Sequence, residues 1–163
     1  MPNYLRPRVP GATIFFTVAL ADRGSDLLVQ RIDLFRSAFN ATLKRRPVAV
    51  DALVVLPDHL HAVLTLPGAD NDYALRWRQI KTRFSLGLPK GRLRQSHVTR
   101  AERGIWQRRY WEHHIRDAED YRVHVEYCWW NPVKHGFVER ARDWPHSSLH
   151  RDIRMGRAGP EWM

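Results

Sequence analysis

The sequence predicts a single domain of the α+β class, in which strands and helices alternate in the order β-α-β-β-α-β and one more helix follows. Only Pro57 and Asp58 separate the second strand from the third. Because two residues leave no room for a crossover helix, these strands should form an antiparallel hairpin. A chain of 163 residues is also long enough to bury one sizeable core.

The first strand and the first helix are marked by a change in the spacing of apolar residues. Segment 12–20, ATIFFTVAL, is rich in β-branched and aromatic residues, which is typical of a strand. In 27–45 the apolar residues return at helical spacing; either Ser25 or Asp26 is placed to cap this helix, and Pro47 ends it. The apolar residues at that spacing are Leu28, Ile32, Phe35, Phe39 and Leu43.

The middle of the chain predicts the hairpin and a basic helix. Segments 48–56 and 59–66 are apolar and β-branched, as strands of a buried sheet are. A helix rich in arginine follows at 73–87, with Asp72 as its cap. Residues 88–104 combine proline, glycine and several basic residues, which indicates an exposed loop.

The last part of the chain completes the sheet and adds a helix. A fourth strand is predicted around 109–115, and a helix from 118 to about 131. Asp117 is placed to cap that helix, and Pro132 is expected to stop it. The resulting order predicts a ferredoxin-like antiparallel sheet with an added C-terminal helix.

No repeat and no low-complexity segment divides the chain, so 1–163 is predicted to form one domain. Residues 1–11 are basic and interrupted by proline and glycine, and should form an irregular arm. Residues 133–163 form a tail, with a short helix near 146–155.

The charge of the chain narrows the class of partner. The formal net charge is +10 and the pI is about 10.6, which favours an anionic partner, with nucleic acid ahead of a membrane surface. No apolar run approaches the length of a bilayer span. The single cysteine, Cys128, excludes an internal disulfide, and the N-terminal segment lacks the apolar run of a secretory signal. A cytoplasmic location is therefore expected.

Two histidines stand two residues apart in the third strand. Side chains alternate between the faces of a sheet, so His59 and His61 should point to the same face. Imidazole is a common ligand of divalent cations, and two on one face make half of a metal site. The alternative is a pair of surface histidines with ordinary hydrogen-bond partners.

The last helix carries two stripes of different character. Its apolar stripe consists of Tyr121, Val125, Cys128 and Trp129. A second stripe consists of Asp120, His124, Tyr127 and Asn131. In the second stripe, Tyr127 and Asn131 lie one turn apart and can be directed at a common site.

If the histidine strand and this helix face each other, a reactive centre results. His59, His61 and the Asn131 carbonyl oxygen would supply three ligands that suit Mg²⁺ or Mn²⁺. Tyr127 would be placed for in-line attack on a phosphodiester, giving a covalent phosphotyrosine and a free hydroxyl. Tyr110 and Tyr121 are competing nucleophiles, but both stand at positions that favour structural roles.

Several blocks of the chain resemble the REP-associated tyrosine transposases, a branch of the HUH single-strand endonucleases. The resemblance runs essentially from end to end, and its most specific parts are NPVKHG and DWPHSS. The matching blocks are VVLPDHLHAVLTLP (54–67), WRQIKTRF (77–84), IWQRRYWEHHIRD (105–117), YRVHVEYCWWNPVKHGFV (121–138) and DWPHSSLHRD (143–152).

The resemblance implies a role for each residue of the reactive centre. It makes His59 and His61 the metal histidines, Asn131 the third ligand and Tyr127 the nucleophile. It also implies a ferredoxin-like fold, a monomeric protein, and substrates that are single-stranded DNA hairpins of bacterial REP elements with a short flanking recognition sequence. One position departs from the family pattern, because Trp129 stands where the family usually has a histidine.

Residues in three segments are predicted to contact DNA, the basic helix through phosphates and the arm by reaching into bases. Trp77 lies among them and is equally suited to a base stack or to the core. The predicted contacts are Tyr4, Arg6 and Arg8 in the arm, Arg76, Arg78, Lys81 and Arg83 in the basic helix, and Arg108 and Arg109 before the fourth strand.

The function predicted from these features is metal-dependent nicking and strand transfer on single-stranded DNA through Tyr127, as in a transposase. One alternative is a non-catalytic hairpin-binding module derived from such an enzyme. RNA-binding modules of similar fold display aromatic residues on the sheet face, whereas this face would carry His59 and His61. A replication-type nickase with the same chemistry is a third possibility.

Overall fold

The computed structural model describes residues 5–90, 93, 95–99 and 103–163. The strands are β1 (Thr13–Ala19), β2 (Ala49–Val55), β3 (His59–Thr65) and β4 (Trp111–His114). They form one sheet in the spatial order β2-β3-β1-β4, and each neighbouring pair is antiparallel. This is the predicted ferredoxin-like arrangement, and the α+β fold class is confirmed.

Helices pack on both faces of this sheet. Phe16 of β1 and Trp77 belong to the core on one face, whereas Phe15, Val63 and Trp129 belong to the core on the other. None of the helices in the described part of the chain has the length and hydropathy needed to span a bilayer. The helices are α1 (Leu27–Gln30), α2 (Ile32–Arg45), α3 (Tyr73–Leu86), α4 (Gln95–Thr99), α5 (Ala118–Lys134) and α6 (Leu149–Arg154), with 3₁₀ turns at Ala141–Asp143 and Pro160–Trp162.

The predicted helix 27–45 is divided in two. Arg31 has φ −115° and ψ 38°, which lies outside the helical region and separates α1 from α2. Asp26 occupies the N-cap position of the first of them without a side-chain cap, and the Ser25 hydroxyl accepts the Leu27 backbone N–H at 3.1 Å. The predicted loop 88–104 also contains a short helix, α4.

The helix that follows β4 is longer than predicted. Asp117 caps it as expected, through a hydrogen bond of 2.8 Å from the Asp120 backbone N–H. Pro132 does not stop it, and α5 continues to Lys134. A proline near the end of a helix removes only one donor, and here the backbone N–H of His135 still donates to the Asn131 carbonyl at 3.0 Å.

The C-terminal segment covers the outer edge of β2. The Ser148 backbone N–H donates to the Leu53 carbonyl at 2.8 Å, and the Ser148 hydroxyl accepts the Leu53 N–H at 2.9 Å. The Val55 N–H donates to the His146 carbonyl at 2.9 Å, and the Arg151 guanidinium donates to two further carbonyls of β2. The DWPHSS block therefore pairs with the edge of β2. The predicted tail packs against the domain.

Candidate active site

His59 and His61 lie on the same face of the sheet, as predicted. β3 is paired on both sides, which holds its backbone in place, and this face is turned toward α5. The two residues are buried, at 5% and 4% exposure, and their ring centroids are 5.0 Å apart. The pair therefore differs from surface histidines, which would be solvated.

Each imidazole is oriented by a hydrogen bond at Nδ1. His61 Nδ1 lies 2.8 Å from the Thr17 hydroxyl, and His59 Nδ1 lies 2.6 Å from an Asp58 carboxylate oxygen. His61 Nε2 is buried and has no partner among the described residues. Burial lowers the pKa of His59 and lowers that of His61 to about 3, so the His61 ring is neutral at pH 7. A neutral ring fixed at Nδ1 and free at Nε2 is the form that binds metal ions.

One row of α5 faces this histidine pair. The Tyr127 ring centroid is 5.2 Å from that of His61, and the His135 ring centroid is 5.2 Å from that of His59. Asn131 lies on the same row, one turn from each of the other two residues. The histidine strand and the helix therefore face each other, as the predicted reactive centre requires.

Asn131 is completely buried, and neither its Oδ1 nor its Nδ2 has a hydrogen-bond partner among the described residues. A buried amide without partners costs free energy, because both groups lose their hydrogen bonds to water. Unpaired polar groups of this kind in a folded protein call for an explanation such as an ion or water. Together with His61 Nε2, the Asn131 oxygen fits the donor set of a divalent cation.

Two residues of the site were not identified from the sequence. Lys134 places its Nζ 3.3 Å from the Tyr127 hydroxyl oxygen and 4.9 Å from the centre of the Tyr127 ring. His135 contacts His59, as described above. Both residues belong to the NPVKHG block, which begins at Asn131, and the sequence assigns neither side chain a role.

Phe15 of β1 packs against both His61 and Tyr127. Its ring centroid lies 5.5 Å from that of His61, 5.8 Å from that of Tyr127 and 4.8 Å from that of His124. Since Phe15 is buried at 5% exposure, this contact fixes the distance between β3 and α5 by ordinary core packing.

The other candidate tyrosines are poorly suited to attack a phosphodiester. The Tyr121 hydroxyl donates to the Asp51 carboxylate at 2.8 Å, and burial with this carboxylate raises the pKa of Tyr121 to about 12. Burial also raises the pKa of Tyr110, whose ring is covered by the Arg6 guanidinium at 3.8 Å. Neither residue approaches the histidine pair.

The structure corrects the prediction for Arg76. This residue is 1% exposed, and its guanidinium binds the Asp70 carboxylate at 2.6 Å and donates to the carbonyls of Arg46 and Pro47. A DNA phosphate cannot reach it. Trp77 is also 1% exposed and belongs to the core, so it is not a stacking platform.

The remaining predicted DNA contacts differ in their surroundings, and their roles stay predictions. Arg8 and Arg78 line a shallow pocket beside the start of α3, and Arg78 is exposed. Arg6 forms an ion pair with Glu112. The Lys81 ammonium donates to the Gln107 carbonyl. Of the other residues, Arg83 is half-buried, Arg108 and Arg109 are exposed, and Tyr4 lies outside the described residues.

Comparison with known proteins gives close relatives over nearly the whole chain, although no family model matches. A Haemophilus influenzae protein named as a REP-associated tyrosine transposase is 44% identical over 99% of this chain and 93% of its own length. The REP-associated tyrosine transposase of Escherichia coli K12 is 42% identical over 99% of this chain and 91% of its own. A solved structure of such a transposase bound to a REP hairpin superposes with a TM-score of 0.86 at 41% identity, covering 100% of this chain and 92% of that one.

Proposed function

The chain belongs to the REP-associated tyrosine transposase family, and from its site we propose that it cuts and rejoins single-stranded DNA at REP-type hairpins through Tyr127. The observation that carries this proposal is the packing of Tyr127 and His135 against His61 and His59, with Asn131 between them on α5. The hairpin substrate is inferred from the relative that was solved with a REP hairpin.

His59, His61 and Asn131 are the residues that would hold a divalent cation in this site, Mg²⁺ or Mn²⁺ by its mixed nitrogen and oxygen donors. The unpaired His61 Nε2 and Asn131 Oδ1 support this assignment. When bound, the cation would draw electron density from the scissile phosphate and offset its negative charge.

Tyr127 supplies the nucleophilic oxygen. A bond forms between Tyr127 Oη and phosphorus while the bond from phosphorus to the leaving oxygen breaks. The phenol loses its proton, and the leaving oxygen gains one to become a free hydroxyl. Lys134 Nζ lies 3.3 Å from Tyr127 Oη, so its positive charge can stabilise the negative charge that develops as the phenol proton leaves.

Strand transfer follows from the same intermediate. The phosphotyrosine ester keeps much of the transfer potential of the original phosphodiester, so the hydroxyl of a second DNA end can attack it and release Tyr127. A hydrolase would instead use water. The family membership favours rejoining over hydrolysis.

The test uses purified protein, Mg²⁺ or Mn²⁺, and labelled DNA hairpins with single-stranded flanks. We expect a covalent protein–DNA adduct, visible in a denaturing gel, that Tyr127→Phe abolishes. Tyr121→Phe is the matched control, because it removes a hydroxyl from the same helix and should leave the adduct intact. An adduct of undiminished yield with Tyr127→Phe contradicts the proposal.

Variants of the histidine pair separate catalysis from binding. His59→Ala and His61→Ala should lose cleavage while hairpin affinity changes little, since the predicted DNA contacts lie elsewhere. If the unsubstituted protein binds hairpins but forms no adduct with any divalent cation, the chain is the non-catalytic binding module.

A further inference from the structure

A second group of metal-ligating side chains lies outside the proposed reactive centre. It consists of His113 on β4 and of Asp120 and His124 in the first half of α5, and one donor atom of each lies within 4.8 Å of the others. Among the described residues, no other three histidine, cysteine or acidic side chains bring their donor atoms this close together. The proposed cleavage reaction uses none of the three.

The Asp120 carboxylate is the centre of the group. One of its oxygens lies 2.8 Å from His113 Nε2, and the other lies 3.1 Å from His124 Nδ1. The two imidazole rings stack, with centroids 4.7 Å apart and planes at 21°. The side chains are mostly but not fully buried, with exposures of 28% for His113, 10% for Asp120 and 22% for His124, so an ion from solvent can reach them.

We propose that His113, Asp120 and His124 bind a transition-metal cation of the Zn²⁺, Co²⁺ or Mn²⁺ type. Two imidazoles and one carboxylate on one side of an ion, with open positions on the other, form a ligand set that such cations accept. No DNA phosphate is expected to add oxygen ligands here, as it would at the His59–His61 site, so Mg²⁺ should bind this group more weakly than Zn²⁺ does. The cation replaces the N–H hydrogens through which His113 and His124 now bond to the Asp120 carboxylate.

Three contacts compete with a cation, and two of them can give way. The third is the hydrogen bond of 2.9 Å from the Arg116 backbone N–H to one oxygen of the Asp120 carboxylate, which leaves the other oxygen for the cation. The Arg116 guanidinium lies 3.5 Å from the Asp120 carboxylate, but its side chain is 77% exposed and is free to turn into solvent. His124 Nδ1 also lies 2.8 Å from the Asp120 backbone carbonyl. Turning toward a cation breaks that contact, while Nε2 of the same ring can carry the proton.

The three side chains come from two elements, so a cation bound to them would link β4 to α5. His113 belongs to the sheet and the other two residues to α5, so a bound cation fastens the first half of that helix to β4. His124 stands one turn before Tyr127, and both rings contact Phe15. The cation therefore holds the nucleophile's helix in position, at a site separated from His61 by the Phe15 ring.

The experiment measures Zn²⁺ and Co²⁺ binding in a background that lacks the first histidine pair, so that its result does not depend on the proposed function. In the full-length His59→Gln/His61→Gln variant we expect one equivalent of Zn²⁺ by calorimetry and the visible absorption of a Co²⁺–imidazole complex. Adding His113→Gln should weaken this binding by about 100-fold. His114→Gln, at the next position of β4, is the matched control and should bind as before.

Folding of the variants is checked by circular dichroism, and a second readout uses the unsubstituted histidine pair. In the wild-type protein, Zn²⁺ should raise the unfolding temperature, and Asp120→Asn should make this rise smaller. Any rise that Mg²⁺ causes should be the same with and without Asp120→Asn. Zn²⁺ affinity that is unchanged by both His113→Gln and Asp120→Asn overturns the proposal and leaves the three side chains as a hydrogen-bonded group.

Discussion

Lys134 carries the only positive charge that the structure brings within hydrogen-bond distance of the Tyr127 hydroxyl among the described residues. The contact is built into the helix, since the two residues are seven positions apart and so lie on one face, two turns from each other. An ammonium group at this distance acts on charge that develops during the reaction rather than on substrate binding.

We therefore expect Lys134→Met to slow adduct formation by about 10- to 100-fold at saturating hairpin concentration. Hairpin affinity should change by less than about threefold, because one exposed charge contributes little to binding. Lys134→Arg should restore part of the rate, which single-turnover kinetics would measure. Equal losses of affinity and rate would instead make Lys134 a DNA contact.

Asn131 exposes a conflict between stability and function at a single residue. Its amide is fully buried without a partner among the described residues, which is unfavourable for folding. Replacement by leucine removes the unpaired groups at similar volume. Asn131→Leu should therefore raise the free energy of unfolding by about 1–2 kcal/mol in metal-free buffer, as measured by urea denaturation.

The same substitution should abolish cation-dependent cleavage. Asn40→Leu, at an exposed position of α2, is the control and should change neither property by much. A destabilised Asn131→Leu protein would indicate that the amide makes favourable contacts, and would remove the argument that it awaits a ligand.

The sequence could identify those residues whose role follows from periodicity. The two-residue spacing of His59 and His61 and the four-residue spacing of Tyr127 and Asn131 are local properties of a strand and a helix. For Lys134, the spacing places the residue on the same face of α5 as Tyr127, but it does not give the contact, because that depends on how the flexible Lys134 side chain folds back over the helix. The error for Arg76 has a related cause, since a buried arginine and an exposed one look alike in a sequence.

At the scale of elements, Arg76 joins α3 to the end of α2. Its guanidinium binds the Asp70 carboxylate ahead of α3 and the carbonyls of Arg46 and Pro47 behind α2. The hydrogen bond from Arg76 holds the pKa of Asp70 at about 2, below its ordinary value of 3.8. The carboxylate is thus stabilised in its charged form by folding.

The stability that the Arg76–Asp70 ion pair contributes should fall in acid. The lowered pKa of Asp70 contributes stability above pH 4, and that contribution is lost as the pH falls from about 4 to 2, because the unfolded chain takes up the proton first. Asp70→Asn should cost about 1–2 kcal/mol at pH 6 and almost nothing near pH 2. Urea denaturation across this range measures the difference, and a constant loss at every pH would contradict it.

The boundaries of helices were harder to predict than their existence. Periodicity located α2, α3 and α5 correctly, because each buries a continuous apolar stripe against the sheet. It could not show the break at Arg31, where only the backbone angles change. Nor could it show that α5 passes through Pro132, since the effect of a proline depends on which of its neighbours still find acceptors.

At the scale of the whole molecule, the sheet separates the proposed reactive centre from the predicted DNA contacts of α3. Tyr127 and the histidine pair lie on the face that packs against α5, whereas α3 and its basic residues lie on the opposite face. Both faces border β4, where His113 belongs to one side and Glu112, bound by Arg6, to the other. A hairpin that is bound by α3 and cut at Tyr127 would therefore have to cross an edge of the sheet.

Neutralising charges near α3 should weaken hairpin binding without altering the chemistry. We expect Arg78→Ala and Arg109→Ala each to lower the slope of log affinity against log salt by about 1 if each contacts one phosphate. Adduct formation at saturating DNA should stay within about twofold of the wild-type rate. Fluorescence anisotropy over a salt series measures the slope, and Arg154→Ala on α6 should leave it unchanged.

The covering of β2 by the C-terminal segment has a consequence for the protein in concentrated solution. An uncovered edge strand offers its free amide and carbonyl groups to the edge of another molecule, and such pairing starts aggregation. Ser148, His146 and Arg151 occupy those groups within the same chain. We therefore expect a chain shortened before the DWPHSS block to be prone to assemble edge to edge through β2.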